Sequence, residues 1–464
     1  MHPAADFLRS CTLPAEHAGA IARILDAVRQ AADPAEAVRR AWDGAELRSA
    51  DRVRLLAAGK ASLAMARAAG DLLGSRLASA LVVPLAEQRS VASHQAGVAT
   101  PAWRILPADH PRSTPRNERV AREVEAFVRS TAPDERVLFL LSGGASAQLA
   151  LPADGLDVDE LDALYADLRR AGAPIGDLNA VRKHCEKLKG GRLAAMCPAP
   201  VLVLVLSDVL GDPLDVIASG PAAPDPTTYA DSLAALDRSG QLDAHPRITA
   251  HLRAGASGSL PETPKPGDPA LARATHRVIG GNRAAMDAAG REARAFGFAV
   301  ERSDGIEGEA MVAGELLAAR LRRAERGGQS ASRVPSQTCV LFGGETTVNV
   351  GTAHAPGPRT GQGGPSQEMA LAAAIALAGA PGVAGFAYST DGIDGESDNA
   401  GAVFSGRTIA LARAKGLDPE SALAAHDSGG FFEALGDQIR TGATGTNVNH
   451  VACVLAFGTG GLPG

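Results

Sequence analysis

The sequence predicts an α/β protein of two domains, each a largely parallel, doubly wound (Rossmann-like) sheet flanked by helices, with the active site in the interdomain cleft. Three observations carry this. First, runs rich in Val, Leu and Ala repeatedly stop at a glycine or polar cluster and several lead into helical patterns, as parallel strands covered on both faces require. Second, 464 residues exceed the size at which one hydrophobic core keeps growing. Third, apolar residues make up 45% of the chain but aromatics only 3%, so the core is built from small aliphatic side chains. That composition favours helices layered on sheets over an aromatic-rich sandwich.

In chain order, the first 48 residues read as helical and able to pack on either domain. Six strand-to-turn segments follow: VRLLAAGKAS (53–62), VLFLLSGGAS (137–146), VLVLVLSDVLGD (201–212), HRVIGGNRAA (276–285), CVLFGGETT (339–347) and FAYSTDGIDG (386–395). Residues 254–270, AGASGSLPETPKPGDPA, lack periodicity and are rich in Gly, Pro and Ser, which places a connection there between domains 1–253 and 271–464. Residues 327–337 and 351–365 also read as loops, the second long enough for a mobile active-site segment.

A net charge of -6 without runs of like charge argues against nucleic acid or an anionic membrane as partner. The five cysteines form no C-x-x-C pair, so neither a disulfide framework nor a zinc site is expected, and a reducing cytoplasm fits. The N-terminus lacks a signal-peptide pattern, and the longest apolar strand is too short to cross a bilayer.

In doubly wound sheets ligands lie outside the carboxyl ends of the strands, so chemistry is expected in the turns. Ser142, Gly143, Gly144 and Ser146 have the composition of an anion-binding turn, although an ordinary tight βα turn reads the same. Lys60 follows a strand and opens a helix, where its ammonium can reach a phosphate or remain a solvated surface charge. Residues 177–192 combine Asn179, Arg182, Lys183, Lys187 and Lys189 on a helix with Asp177 as its cap and Gly190 and Gly191 at its end, and Arg192 just beyond adds to the cationic cluster. They read as a solvated basic face or one wall of an anionic site. Ser207, Asp208 and Asp212 follow the strongest strand, where they can bind Mg²⁺ or simply hydrogen-bond the turn. Glu345, Thr346 and Asp391 occupy equivalent turns later in the chain. The 391–398 loop lacks the EF-hand register, and neither a P-loop nor a G-x-S-x-G elbow is present.

Taken in order, AAGKAS, LSGGASAQ, NAVRKH with KLKGGRLA, LSDVLGDPLDVIASGP, FGGETTV, TDGIDG with DNAGA, and GTNVN resemble the type II glycerate kinases, from about residue 53 to the C-terminus. The resemblance implies an N-terminal glycerate-kinase domain and a C-terminal MOFRL domain. It further implies ATP-dependent, Mg²⁺-assisted phosphorylation of D-glycerate at the 2-hydroxyl, giving 2-phosphoglycerate, in a monomer or homodimer. Hydroxypyruvate reductase is the alternative, but a reductase should carry G-x-G-x-x-G after a strand, and GQGGPS fails that spacing. A kinase of a longer sugar acid is another.

Carried over, Lys60, Asp208 and Asp391 are the catalytic candidates, with Asp208 and Asp391 as magnesium ligands. Ser142, Gly143, Gly144, Ser146, Asn179, Arg182, Lys183, Lys189, Ser207, Glu345 and Thr346 are the substrate- and nucleotide-binding candidates. One departure stands out. Many relatives read G-G-R-N-Q-E where this chain has Gly363-Gly364-Pro365-Ser366-Gln367-Glu368, so an expected arginine is Pro365, with Arg359 as a possible replacement.

Overall fold

The computed structural model describes residues 11–42, 47, 52–88, 103–327, 337–349, 361–395 and 397–458. It divides into two compact units, Pro34–Ile279 and Met1–Asp33 with Gly280–Gly464. The division therefore falls later than residues 254–270, and the N-terminal helix Ala15–Ala32 belongs with the C-terminal half. The 254–270 stretch is tied into the first unit: Thr263 is buried and its hydroxyl donates to Asp225 (3.0 Å), while the Asp225 amide donates to the Pro264 carbonyl (2.9 Å). A Gly/Pro-rich composition reflects irregular backbone, and irregular backbone can be packed as well as free.

The first unit holds β1 (Val53–Ala58), β2 (Leu77–Val83), β3 (Trp103–Ile105), β4 (Arg136–Ser142), β5 (Val201–Leu206) and β6 (Ala274–Gly280). They lie in the order β3-β2-β1-β4-β5-β6, with β3 through β5 paired in parallel. The chain moves one way from β1 to β2 and β3 and then returns to the other side for β4, so the β1/β4 border is the topological switch point. Leu55, Leu56, Leu138, Phe139 and Val203 are fully buried in these central strands, which explains their unbroken apolar runs. On one flank, helix Pro115–Arg129 is started by the Thr114 side chain and a proline in its first turn, and buries Val120, Val124, Phe127 and Val128 at helical spacing. A separate helical cluster, Val158–Arg170, Ile175–Cys185, Tyr229–Arg238 and Pro246–Ala256, packs around Leu161, Leu164, Leu168, Val181, Leu236 and Leu252.

The second unit holds β7 (Ala299–Glu309), β8 (Thr338–Thr347), β9 (Val383–Ser389), β10 (Gly401–Ser405), β11 (Gln438–Ile439) and β12 (His450–Ala456), in the order β11-β10-β9-β12-β8-β7. Only β7 and β8 pair in parallel; β12 is antiparallel to both its neighbours, and β10 is antiparallel to β9 and β11. The sheet is thus mixed, not largely parallel. The physical reason lies in the connections: β9 and β10 are joined through residues 390–400, whose described residues contain no helix, and a parallel return needs a longer crossover. Because helices Asn282–Ala295, Ala310–Gly327 and Pro365–Ala376 cover the sheet, its antiparallel strands are as apolar as parallel ones. Helix Ala15–Ala32 packs on helix Asn282–Ala295, with Arg23 paired to Glu292 at 2.6 Å. No helix among the described residues is long and apolar enough to cross a membrane.

Candidate functional site

The turn after β1 and the turn after β4 meet at the switch point and are locked together. The Lys60 amide donates to the Gly143 carbonyl (2.8 Å), the Gly59 amide to Gln148 Oε1 (2.7 Å), and the Ala61 amide to Ser142 Oγ (3.1 Å). Ser142 and Gln148 are buried, with Ser142 Oγ and Gln148 Oε1 engaged in holding the 59–61 backbone and Gln148 Nε2 without a partner among the described residues. The structure gives Ser142 a supporting place under Lys60, whereas sequence order alone reads it as an anion contact. A Cβ on Gly143 would fall 1.8 Å from Asp208 Oδ2 and displace that carboxylate, and Gly144 takes a φ of 89° that side chains disfavour.

Three charged or titratable side chains gather at these glycines. A Cβ on Gly144 would lie 3.2 Å from both Lys60 Cγ and the His110 ring, and Asp208 lies against Gly143. Burial pushes the Asp208 carboxyl up, and the Lys60 ammonium pulls it back down. Burial, then Lys60 and then Arg182 lower His110 to about 4, so its imidazole is neutral at physiological pH. Arg182, whose guanidinium stacks 4.9 Å over the Tyr165 ring, contributes positive charge to the same region. His110 has no sequence pattern that announces it. It follows β3 in an irregular loop fixed by Asn117, whose amide donates to the Asp109 carbonyl (2.9 Å) and the Ala147 carbonyl (2.8 Å). A histidine just past a strand, bounded by prolines, is the one available signal.

The remaining basic candidates divide. Helix Ile175–Cys185 carries Asn179, Arg182 and Lys183 but stops before Lys187. Asp177 sits inside its first turn, paired with Arg238 at 2.8 Å, and does not cap it. Lys183 is buried between Asp215 (3.1 Å) and Asp225 (3.2 Å). Lys189 is buried against Glu186 (2.6 Å), which also accepts from the Tyr165 hydroxyl (2.8 Å). Burial lowers Lys189 to about 8, opposed by Glu186. Both ammonium groups are spent on internal partners, which a count of basic residues cannot reveal.

Asn179 meets the turn instead. Ser146 Oγ and Ser219 Oγ are 2.9 Å apart, and Ser219 donates to Asn179 Oδ1 (2.9 Å). Ala218 and Ser219 adopt φ of 55° and 58°, a left-handed conformation that costs about 1 kcal/mol or more per non-glycine residue. Their loop is held by amides of the glycine pair, Gly190 to the Ser219 carbonyl (3.1 Å) and Gly191 to the Gly220 carbonyl (2.7 Å). Ser207 only closes its own turn, with Oγ donating to the Val209 carbonyl (3.0 Å).

In the second unit, the end of β8, the end of β9 and the start of β12 share one sheet edge, since His450 pairs with Gly344 on one side and Ser389 on the other. The Thr346 hydroxyl lies 3.2 Å from His450 Nδ1. Asp391 Oδ1 accepts from the Ser389 hydroxyl (2.7 Å) and the Ile393 amide (3.1 Å). Burial lowers His450 to about 4, with Asp391 opposing. The 441–449 loop crosses this edge and holds two buried groups without a hydrogen-bond partner among the described residues, Thr446 Oγ1 and Asn449 Nδ2. Glu345 is exposed. Pro365 begins helix Pro365–Ala376, whose first amides at Ser366 (2.8 Å) and Gln367 (2.7 Å) donate to the buried Asp394 carboxylate. Arg359 lies outside the described residues. Among the described residues no group of three or more His, Cys, Asp or Glu forms a metal cage, and Asp208 and Asp391 belong to different units.

The architecture is that of an α/β enzyme whose polar turns collect at the carboxyl edge of a sheet in the order 3-2-1-4-5-6. Residues 20–253 match a domain family of unknown function, DUF4147, and residues 338–450 match the MOFRL family. A D-glycerate 2-kinase of Thermotoga maritima is 37% identical, covering 86% of this chain and 90% of the relative. A protein of Agrobacterium vitis, provisionally named a hydroxypyruvate reductase, is also 37% identical, covering 93% of each chain. The crystal structure of a glycerate kinase from Thermotoga maritima superposes with a TM-score of 0.79 at 35% identity, covering 93% of this chain and 97% of that one. The chain belongs to the type II glycerate kinase family. It is accordingly a phosphotransferase that acts on small molecules.

Proposed function

We propose that the protein transfers the γ-phosphoryl group of ATP to the 2-hydroxyl of D-glycerate, giving 2-phosphoglycerate and ADP. The observation that carries this reading is the convergence of Lys60, Asp208 and the Arg182 charge on the Gly143-Gly144 turn at the switch point. Phosphoryl transfer asks for positioning and charge neutralisation more than covalent chemistry. The glycines admit a ligand close to the backbone while Lys60 and Arg182 face its negative charge. The substrate hydroxyl oxygen forms the new bond to phosphorus as the bond to the β-γ bridging oxygen breaks, and Asp208 takes the hydroxyl proton. A carboxyl held up by burial and down by Lys60 is suited to that exchange.

Magnesium fits the donors present. It relies on one or two carboxylates plus phosphate oxygens, so Asp208 in the first unit or Asp391 in the second, each taken by itself, would supply a hard oxygen to it. When bound, Mg²⁺ neutralises charge on the nucleotide phosphates. Ser142 and Gln148 set the Lys60 turn, and Lys183 and Lys189 stabilise the helix that presents Arg182 and Asn179. Thr346 and Asp391 are assigned to ligand binding in the second unit. A cytoplasmic setting accords with four buried, unpaired cysteines and one partly buried one.

Purified protein with ATP, Mg²⁺ and D-glycerate is expected to release ADP, with the phosphate on C2 by NMR. No glycerate-dependent ADP release overturns the reading, and NADH oxidation by hydroxypyruvate would install the reductase in its place.

A further inference from the structure

Resting on that reading, we propose that His110 is a specificity-determining residue: its imidazole hydrogen-bonds the substrate hydroxyl that is not phosphorylated. The position is built for contact. The ring lies within 3.5 Å of where a Gly144 Cβ would be, on the same glycine that Lys60 flanks, so a ligand seated at that turn meets the imidazole. The loop carrying it is not free to swing away. Asn117 ties it to the Asp109 and Ala147 carbonyls, and the buried Asp162 accepts from the Ser113 amide (2.8 Å) and pairs with Arg112 (2.9 Å). Yet the His110 ring makes no hydrogen bond with any described residue.

Chemistry then separates its role from those beside it. Lys60 and Arg182 only donate hydrogen bonds, and suit carboxylate or phosphate oxygens. A hydroxy acid also presents hydroxyls, which need a group that can accept. Largely buried and close to two cations, His110 stays neutral and so offers one donor and one acceptor nitrogen. The same environment makes it a poor base at neutral pH, which leaves proton removal to Asp208 and the second, unreacting hydroxyl to His110.

D-Lactate is D-glycerate without that second hydroxyl, and it separates the two roles. His110→Phe keeps the ring volume and removes both nitrogens. In this variant kcat/KM for D-glycerate should fall about tenfold or more, while the inhibition constant of D-lactate should change less than about twofold. The KM for ATP and the melting temperature should hold, and His110→Gln should restore part of the loss. Histidine imidazole NMR signals give a reading independent of turnover: D-glycerate should shift one resonance that His110→Phe removes. Equal losses for glycerate and lactate, or no shifted resonance, overturn the proposal while leaving the kinase reading intact. Absence of glycerate turnover and of D-glycerate binding in the wild type would instead remove the kinase reading first.

Discussion

The two sheet edges that carry the candidate residues solve different problems. At the switch point of the first unit, Gln148 Oε1 is taken by the Gly59 amide and Ser142 Oγ by the Ala61 amide, and the charged side chains Lys60 and Asp208 lie against the Gly143-Gly144 turn. At the β8-β9-β12 edge of the second unit the charged component is smaller. There Asp391 is partly engaged by its own turn, and it is uncharged groups, Thr446 and Asn449, that lack partners among the described residues. A buried unpaired donor costs about 1–3 kcal/mol, a penalty that a ligand or ordered water would relieve. Both edges hold a buried neutral group without a partner among the described residues, Gln148 Nε2 at the first, and the first adds the charges of Lys60 and Asp208.

Experiments can break this contrast, beginning with the largest effect. If Lys189 is structural, Lys189→Met leaves Glu186 buried and unpaired and lowers unfolding free energy by about 3–5 kcal/mol, measured by denaturant titration, with Glu186→Leu added to recover much of the loss. An unchanged midpoint would return Lys189 to the ligand-facing set. Lys60→Ala should reduce kcat/KM about 10²- to 10³-fold with little change in melting temperature, since its ammonium makes no hydrogen bond or close ion pair among the described residues and only a longer-range interaction with Asp208 is lost. At the second edge, Thr446→Val keeps the shape and removes an unpaired hydroxyl, so the unliganded protein should gain about 1 kcal/mol; a loss would show that the hydroxyl has an internal partner.

The smallest effect is in pH dependence, and its sign differs between units. Burial raises Asp394 to about 6, so the folded state holds that proton more tightly than the unfolded chain. Its contribution is complete below the ordinary carboxylate range and is lost as pH rises through about 6. Glu262 is lowered to about 2; burial raises it, but Lys265, the Tyr229 amide and His184 together prevail. Its contribution is present above the ordinary range and lost as pH falls toward about 2. Urea midpoints across this span should therefore lose a falling limb in Asp394→Asn and an acid-side limb in Glu262→Gln.

How much of this was legible in the sequence depends on the length scale of each interaction. The six apolar runs that end in glycine or polar clusters are strands, because a buried strand and its turn are written in consecutive residues. Whether neighbours run parallel was not, since strands covered on both faces read alike in either direction. The position of the Ser142–Ser146 turn was visible for the same local reason. The tasks of its residues were not: Ser142 acts on a backbone 81 positions away, and His110 is set by hydrogen bonds from Asn117 to Ala147. Lys189 looks like its basic neighbours until Tyr165, distant in sequence, closes over Glu186.

The Ser146-Ser219-Asn179 chain has a polarity. Ser219 owns a single hydroxyl hydrogen and gives it to Asn179 Oδ1, so the contact with Ser146 must use the Ser146 hydrogen. Ser146 then turns only lone pairs outward. A hydroxyl arriving there is received at once, whereas a phosphate oxygen is met by like charge until two hydrogens rotate and the Asn179 amide gives up its donor. Within the turn that spells an anion cradle in one-letter code, the Ser146 hydroxyl is thus wired, at rest, to receive an alcohol.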